Sequence, residues 1–268
     1  MIVTTNTALC ERTNHIRLVL LHMGHALVGT DWCGSVTNPD VSRLYYIMSG
    51  EAAVTAKDST RTRLEAGKWV LLPAGFSFDF SCDGQMEHVY CHLKLCDLDG
   101  IDMLSSYPTA AVFDVPGIDS TFFTSRMKSE DINDGLFVRH EIERVLLTFL
   151  AEQESRIEYN QYSPCVVKAI KYIKRHLSAQ LTVSEIAEHV FVSNSTLTKR
   201  FKAELSKPVG EYINDTIMFE ASQLLLKTNL SILAISEKYG FSDQFYFSRR
   251  FKEKFGMSPM KYRKSIIP

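Results

Sequence analysis

The chain of 268 residues has no run of about 18 apolar residues, the length a membrane-spanning helix needs. Its most apolar early segment, Ile16 to Met23, is too short to span. That segment also lacks the basic leader and small-residue cleavage site of a secretory signal. No membrane partner is expected, and the expected location is the cytoplasm. Cys-x-x-Cys pairs are absent as well. Six cysteines stand at 10, 33, 82, 91, 96 and 165, and only Cys91 and Cys96 are close. No second pair completes a zinc pattern, so reduced cysteines serving as small core residues are expected. Histidine is missing from the stretch 44–56, where a metal-dependent barrel enzyme would need it. His88 and His92 come later, four apart with Tyr90 between them on the same strand face, and no third ligand is evident. No metal, cofactor or catalytic residue is expected.

Net charge is also small, at −1, but it is unevenly placed. Residues 164–268 hold 17 Lys+Arg against 9 Asp+Glu, a net +8, and residues 1–163 hold 13 against 22, a net −9. One half is built for a polyanion and the other is not.

The first 115 or so residues read as short strands. Leu44–Met48, Ala52–Thr55, Trp69–Leu72, Phe76–Phe80 and His88–Leu95 are β-branched, aromatic or alternating. Turn signals separate them at Ser49-Gly50, Lys57-Asp58-Ser59, Ala66-Gly67, Pro73-Ala74-Gly75 and Asp83-Gly84. This pattern predicts a small sandwich or barrel. A helix follows over about 137–155, with Val138, Ile142, Val145, Leu146, Phe149 and Leu150 on one stripe. That stripe packs either on its own sheet or on a second copy as a dimer seam. The division expected is 1–155, a linker at 156–163 without clear period, and an all-helical 164–268.

The helical part contains a duplication. Leu181, Ile186 and Ser193 match Leu230, Ile235 and Ser242 at an offset of 49. After one inserted residue, Leu197, Phe201, Lys202 and Tyr212 match Phe247, Phe251, Lys252 and Tyr262 at an offset of 50. Each copy has helix-turn-helix grammar. A small residue, Ala187 or Ser236, allows a close helix crossing, and Gly240 suits a positive φ in the second turn. Ser193 and Ser242 stand where N-caps belong, and Gly256 followed by Pro259 suits a stop. The exposed face of the first recognition helix is Ser195, Thr198, Lys199 and Lys202. In the second copy it is Gln244, Phe245, Ser248, Arg249 and Lys252. Such groups reach base edges in a major groove. Arg200, Lys207, Arg250, Lys254 and Lys261 are placed for phosphates. A helix from about Gly210 to Thr228 separates the copies. Two such units on one arm would enter grooves one turn apart on double-stranded DNA, roughly 34 Å.

The run GFSDQFYFSRRFKEKFGMSPMKYR at 240–263 resembles the signature of the AraC/XylS family of transcription regulators, and the resemblance extends over 164–268. It implies recognition helices at about 194–205 and 243–254. Several positions depart from the family pattern. Phe191 and Ser206 stand where glycine is usual, and Phe245 where a small polar residue is common. The connecting stretch Asp215–Gln223 lacks the usual Arg and Lys, which puts phosphate contacts there in question. The segments 46–52 and 64–75 are similar to the cupin-type β-barrel that serves such regulators as a sensor. The resemblance thus implies an α+β chain of two domains, an N-terminal cupin-like barrel and a C-terminal double helix-turn-helix domain. It also implies promoter DNA, RNA polymerase, a small-molecule effector such as a sugar, and a homodimer as partners, with activation as the family tendency. Candidate ligand residues in the barrel are Trp32, Tyr45, Trp69, His88, Tyr90 and His92, as aromatic platforms with hydrogen-bonding groups. Two alternatives stand beside this reading. The barrel could only dimerise or bind a protein partner, or it could be an enzyme fused to a DNA-binding tail.

Overall fold

The computed structural model describes residues 6–97, 101–117, 119–153, 162–205 and 207–264. The chain divides into two compact units, residues 1–159 and 160–268. Most of the linker expected at 156–163, and the Ser206 substitution, lie outside the described residues.

The first unit runs α1 (Thr7–Thr13), β1 (Arg17–Val28), β2 (Cys33–Val36), β3 (Ser42–Ala56), β4 (Arg61–Glu65), β5 (Trp69–Leu72), β6 (Phe78–Ser81), β7 (Met86–Cys96), β8 (Ala111–Phe113), α2 (Ser120–Arg126) and α3 (Ile132–Glu152). All strand pairings are antiparallel, in the order β1-β7-β3-β5-β8, with β4 on β3 and β6 between β2 and β3. The long strand β3 belongs to both halves of this arrangement. Its first part pairs with β7 and β5, and its last part pairs with β4 and β6. A register shift between Ile47 and Ser49 marks the changeover. Gly50 follows at φ +73°, and a Cβ there would lie 1.9 Å from the Gln85 carbonyl oxygen. Only glycine fits both the left-handed backbone and that approach.

Strand alternation sorts the apolar residues into two clusters. Leu44, Trp69, Leu71, Val89, Cys91 and Leu93 face one way, and Tyr45, Ile47, Val70, Leu72 and Phe78 face the other. Helix α3 covers the first cluster with Val138, Ile142, Val145, Leu146 and Phe149. This stripe was one candidate for a dimer seam. It is instead the core of its own unit, each side chain contributing roughly 1.5–3 kcal/mol by burial. The helix also starts five residues earlier than expected, because the Asp131 carboxylate caps it by accepting the Asn133 N–H at 2.9 Å. The opposite side of α3 leaves Ile132, Leu136, Phe137 and Leu147 more than half exposed.

The second unit is helical: α4 (Pro164–Arg175), α5 (Val183–His189), α6 (Asn194–Leu205), α7 (Val209–Lys227), α8 (Ile232–Lys238), α9 (Gln244–Phe255) and α10 (Pro259–Lys264). Helices α5 and α6 form one helix-turn-helix and α8 and α9 the other, with α7 between. The start of α5 is a capping box made by Thr182 and Glu185. Ala187 and Ser236 are buried at the helix crossings, and Leu197, Phe201, Phe247 and Phe251 fill the core.

One cap differs from expectation. Ser193 caps α6, its hydroxyl accepting the Thr196 N–H at 3.2 Å. The cap of α9 is Asp243, not Ser242, and it accepts the Phe245 and Tyr246 N–H groups at 2.9 and 3.0 Å. The residue inserted in the second copy is therefore in the turn, ahead of the cap. Phe191 and Gly240, at an offset of 49, occupy the same left-handed corner, at φ +59° and +73°.

Candidate functional site

The cap and core of each recognition helix decide what its free side shows. With Leu197 and Phe201 turned inward, Ser195, Thr198, Lys199 and Lys202 of α6 are exposed. On α9, burial of Phe247 and Phe251 leaves Phe245, Arg249 and Lys252 exposed and Gln244 and Ser248 half-buried. Tyr246, not singled out in the sequence, is half exposed beside them, with the Arg249 guanidinium carbon 5.9 Å from its ring centre. Each face thus carries cationic and hydroxyl groups, and the second adds two aromatic rings.

The five residues expected to hold phosphates divide differently. Lys207 is buried, and both it and Lys254 bind the carboxylate of Asp215 on α7, the second at 2.7 Å. Their ammonium groups are engaged in this clamp rather than turned to a polyanion, which corrects the expectation for both. Burial also lowers the Lys254 pKa to about 8. Arg250 forms an ion pair with Glu253 at 2.8 Å, one helical turn along. Arg200 is exposed, with one N–H directed 3.7 Å from the Cys165 sulfur, and Lys261 is exposed. Asp215 also changes the meaning of the missing basic residues in α7. The acidic residue ties the segment after α6 and the end of α9 to the same helix.

In the first unit, register builds a second site. Across β1, β7 and β3, three rows line up: His22–His92–Arg43, Gly24–Tyr90–Tyr45 and Ala26–His88–Ile47. The side chains of Tyr45 and Ile47 belong to the inner cluster with Phe78, and alternation puts Arg43 on the same face. The aromatic rings are contiguous. Trp32 lies 4.6 Å from Phe80 and 6.0 Å from His88, His88 is 5.9 Å from Tyr90, and Tyr90 is 5.8 Å from His92. Gly24 leaves room for Tyr90, because a Cβ there would lie 2.6 Å from the phenol oxygen. Trp32, Tyr90, His92 and Arg43 are part-exposed, so this face is open to solvent, whereas His88 and Tyr45 are buried.

Five of the six expected ligand residues therefore share one face. Trp69 does not. It lies in the opposite cluster, 5.8 Å from Phe123, because its place in β5 has the other parity. Arg43 and His22 were missed, although Arg43 stands two residues before Tyr45 and so on its face.

Burial pushes the His88 pKa down to about 4. It pushes that of His92 to about 3, aided by the charges of Arg43 and His22. Both imidazoles are neutral near pH 7 and can donate or accept.

Family models match both parts. A helix-turn-helix domain model matches residues 172–265, and a EutQ-like cupin domain model matches residues 27–90. The HTH-type transcriptional activator AarP of Providencia stuartii is 33% identical, over 40% of this chain and 81% of AarP. The chain belongs to the AraC/XylS family of transcription regulators. Similarity also runs nearly end to end with the Msm operon regulatory protein of Streptococcus mutans, 28% identical over 94% of this chain and 95% of that one. ToxT from Vibrio cholerae shares the fold, with a TM-score of 0.57 at 14% identity, covering 92% of this chain and 99% of that one. An AraC/XylS regulator acts by binding DNA, so the double helix-turn-helix unit is the DNA-binding part and the cupin barrel is the N-terminal part.

In this AraC/XylS chain Phe191 holds the first turn at positive φ with a β-carbon, and its side chain is 91% exposed. The left-handed conformation costs about 1–2 kcal/mol for an L residue, partly offset by the greater chain entropy of glycine. Phe191→Gly is therefore expected to stabilise the helical unit by about 0.5–1 kcal/mol. Urea unfolding followed by far-ultraviolet circular dichroism checks this, and an unchanged or lower midpoint would show that the ring stabilises the unit by packing.

Proposed function

We propose that the chain is an effector-responsive promoter-binding regulator, with the inner face of its barrel as the effector site. The observation that carries this reading is the pairing of two exposed cationic recognition faces with a separate sheet face in the first unit. That sheet face is aromatic and polar, with Trp32, Arg43, Tyr90 and His92 part-exposed. Ser195, Thr198, Lys199 and Lys202 of the first unit and Gln244, Phe245, Ser248, Arg249 and Lys252 of the second read base edges. Arg200, Arg250 and Lys261 hold phosphates. Trp32, Tyr45, His88, Tyr90 and His92 contact the effector, whose binding acts by preferring one of two states of the regulator. The regulator acts as a homodimer that contacts RNA polymerase and activates transcription. The exposed side of α3, with Ile132, Leu136, Phe137 and Leu147, suits the dimer contact.

The reading is tested by footprinting the full chain on promoters recovered from genomic fragments, with and without a metabolite extract. Two protected groove segments per chain on one DNA face, with occupancy changed by the extract, are the expected result. One protected segment per chain would refute the use of both units. Occupancy indifferent to every extract would leave the barrel as a dimerisation or partner module. Arg249→Ala is expected to weaken specific binding by about 1–3 kcal/mol, on the order of 5- to 150-fold, and to relax the base preference at one position. Lys261→Ala is expected to weaken binding to all sequences alike and to lower the salt slope.

A further inference from the structure

We propose that the effector is an anion: a small molecule carrying a carboxylate or phosphate group, held in the barrel by the Arg43 guanidinium. The inference rests on the effector reading above and names the chemistry of that site. Arg43 stands on the inward face of β3, in register with His92 of β7 and one row from Tyr45. Its guanidinium carbon lies 5.8 Å from the centre of the Phe78 ring. One of its terminal nitrogens, Nη1, is buried with no hydrogen-bond partner, and among the described residues no carboxylate lies within ion-pair distance of it.

A guanidinium is always charged, and burying its N–H groups unpaired is unfavourable. The surrounding groups do not cancel the charge. His88 and His92 are neutral, and burial raises the phenol pKa values of Tyr45 and Tyr90, so both stay protonated. Arg43 is thus the one permanently charged group in these three rows. A neutral sugar could accept a hydrogen bond from it but would leave the charge uncompensated. A carboxylate or phosphate accepts from the planar fork and cancels the charge together. His88 has an unpartnered buried nitrogen as well, Nδ1. With Tyr90 and Trp32 beside it, His88 offers a platform and a polar contact for the ligand body beyond its acidic head.

The test uses the full chain and its R43M variant, which keeps the volume and removes the charge. Histidine-ring NMR signals and tryptophan emission are followed during titration with inorganic phosphate, D-glucuronate, glucose 6-phosphate and D-glucose, with ionic strength held constant by chloride. All three anions are expected to give saturable changes. Glucose should bind about 10- to 100-fold more weakly than glucuronate, the effect of one charge-assisted contact. R43M should lose the anion response and unfold at a higher temperature, because it removes a part-buried charge whose Nη1 has no partner. Glucuronate tighter than glucose 6-phosphate identifies a carboxylate head, and the reverse order identifies a phosphate. Three results overturn the proposal: no saturable response to any anion, glucose binding as tightly as glucuronate, or R43M binding anions as the parent does. A lower unfolding temperature for R43M also counts against it, since the guanidinium would then hold the fold rather than wait for a ligand. Promoter binding that responds to a neutral metabolite would leave the effector reading standing without the anion. Anion binding that leaves promoter affinity unchanged would do the opposite.

Discussion

Asp215→Ala is expected to destabilise the helical unit by about 3–5 kcal/mol, the cost of stripping one partner from a buried ion network. Lys207 is buried, Lys254 keeps 29% of its side chain exposed, and both form ion pairs with this carboxylate. The two lysines are 8 and 39 residues away in sequence, so the clamp joins parts of the unit that no turn connects. The measurement is urea unfolding of the full chain with two probes. Far-ultraviolet circular dichroism weighs the helices, while tryptophan emission reports only the barrel, since both tryptophans, Trp32 and Trp69, are there. The first transition should move and the second should stay. Replacing all three charges at once by Leu and Met should cost far less than Asp215→Ala alone, because no charge is left stranded. Specific promoter affinity should fall in Asp215→Ala even where the unit remains folded, since the carboxylate also fixes the ends of both recognition helices against α7. Equal affinity in the folded variant would confine Asp215 to stability.

Gly50→Ala is expected to cost the barrel about 3 kcal/mol, and the same two probes should respond the other way round. The added methyl meets a main-chain oxygen at 1.9 Å, so the neighbour cannot turn aside as a side chain would. The left-handed φ of +73° adds its own strain. Relief requires β3 and β7 to part near the Gly50–Met86 pair, the place where β3 passes from one set of partners to the other. Tryptophan emission should report an earlier transition while the helical signal holds. A midpoint within experimental error of the parent would mean that the strands separate there at little cost, and that this corner does not close the barrel.

The helical half was largely legible in the sequence because its signals are local. Caps, a stop glycine and a repeat of apolar positions lie within a few residues of what they specify, and α6 and α9 fall within a residue of their expected ends. One slip among the caps, Ser242 for Asp243, arose because an inserted residue leaves no mark of which side of the cap it is on. The barrel was harder. Turn residues placed the strands, but both strand faces carry apolar and aromatic residues, so an aromatic residue of either parity looks equally suited to a ligand. Trp69 and Tyr45 differ only in which way their strands turn them. Arg43 was passed over because a lone arginine between Ser42 and Leu44, at the start of a strand, reads as an exposed edge until register places it beside His92. The Asp215 clamp had no local signal, since ion pairs form across space. An acidic residue where a basic one is usual was visible only as a departure.

The alternation of β3 has a mechanical consequence. Arg43 and Tyr45 stand on the inward face of the sheet, while Leu44 between them is pressed against the cluster that α3 seals. Whatever settles on the inside therefore pulls on the same three peptide units that the outer helix rests upon. No chain of intermediaries has to carry the message from ligand to helix, because a single ribbon has one of them on each side.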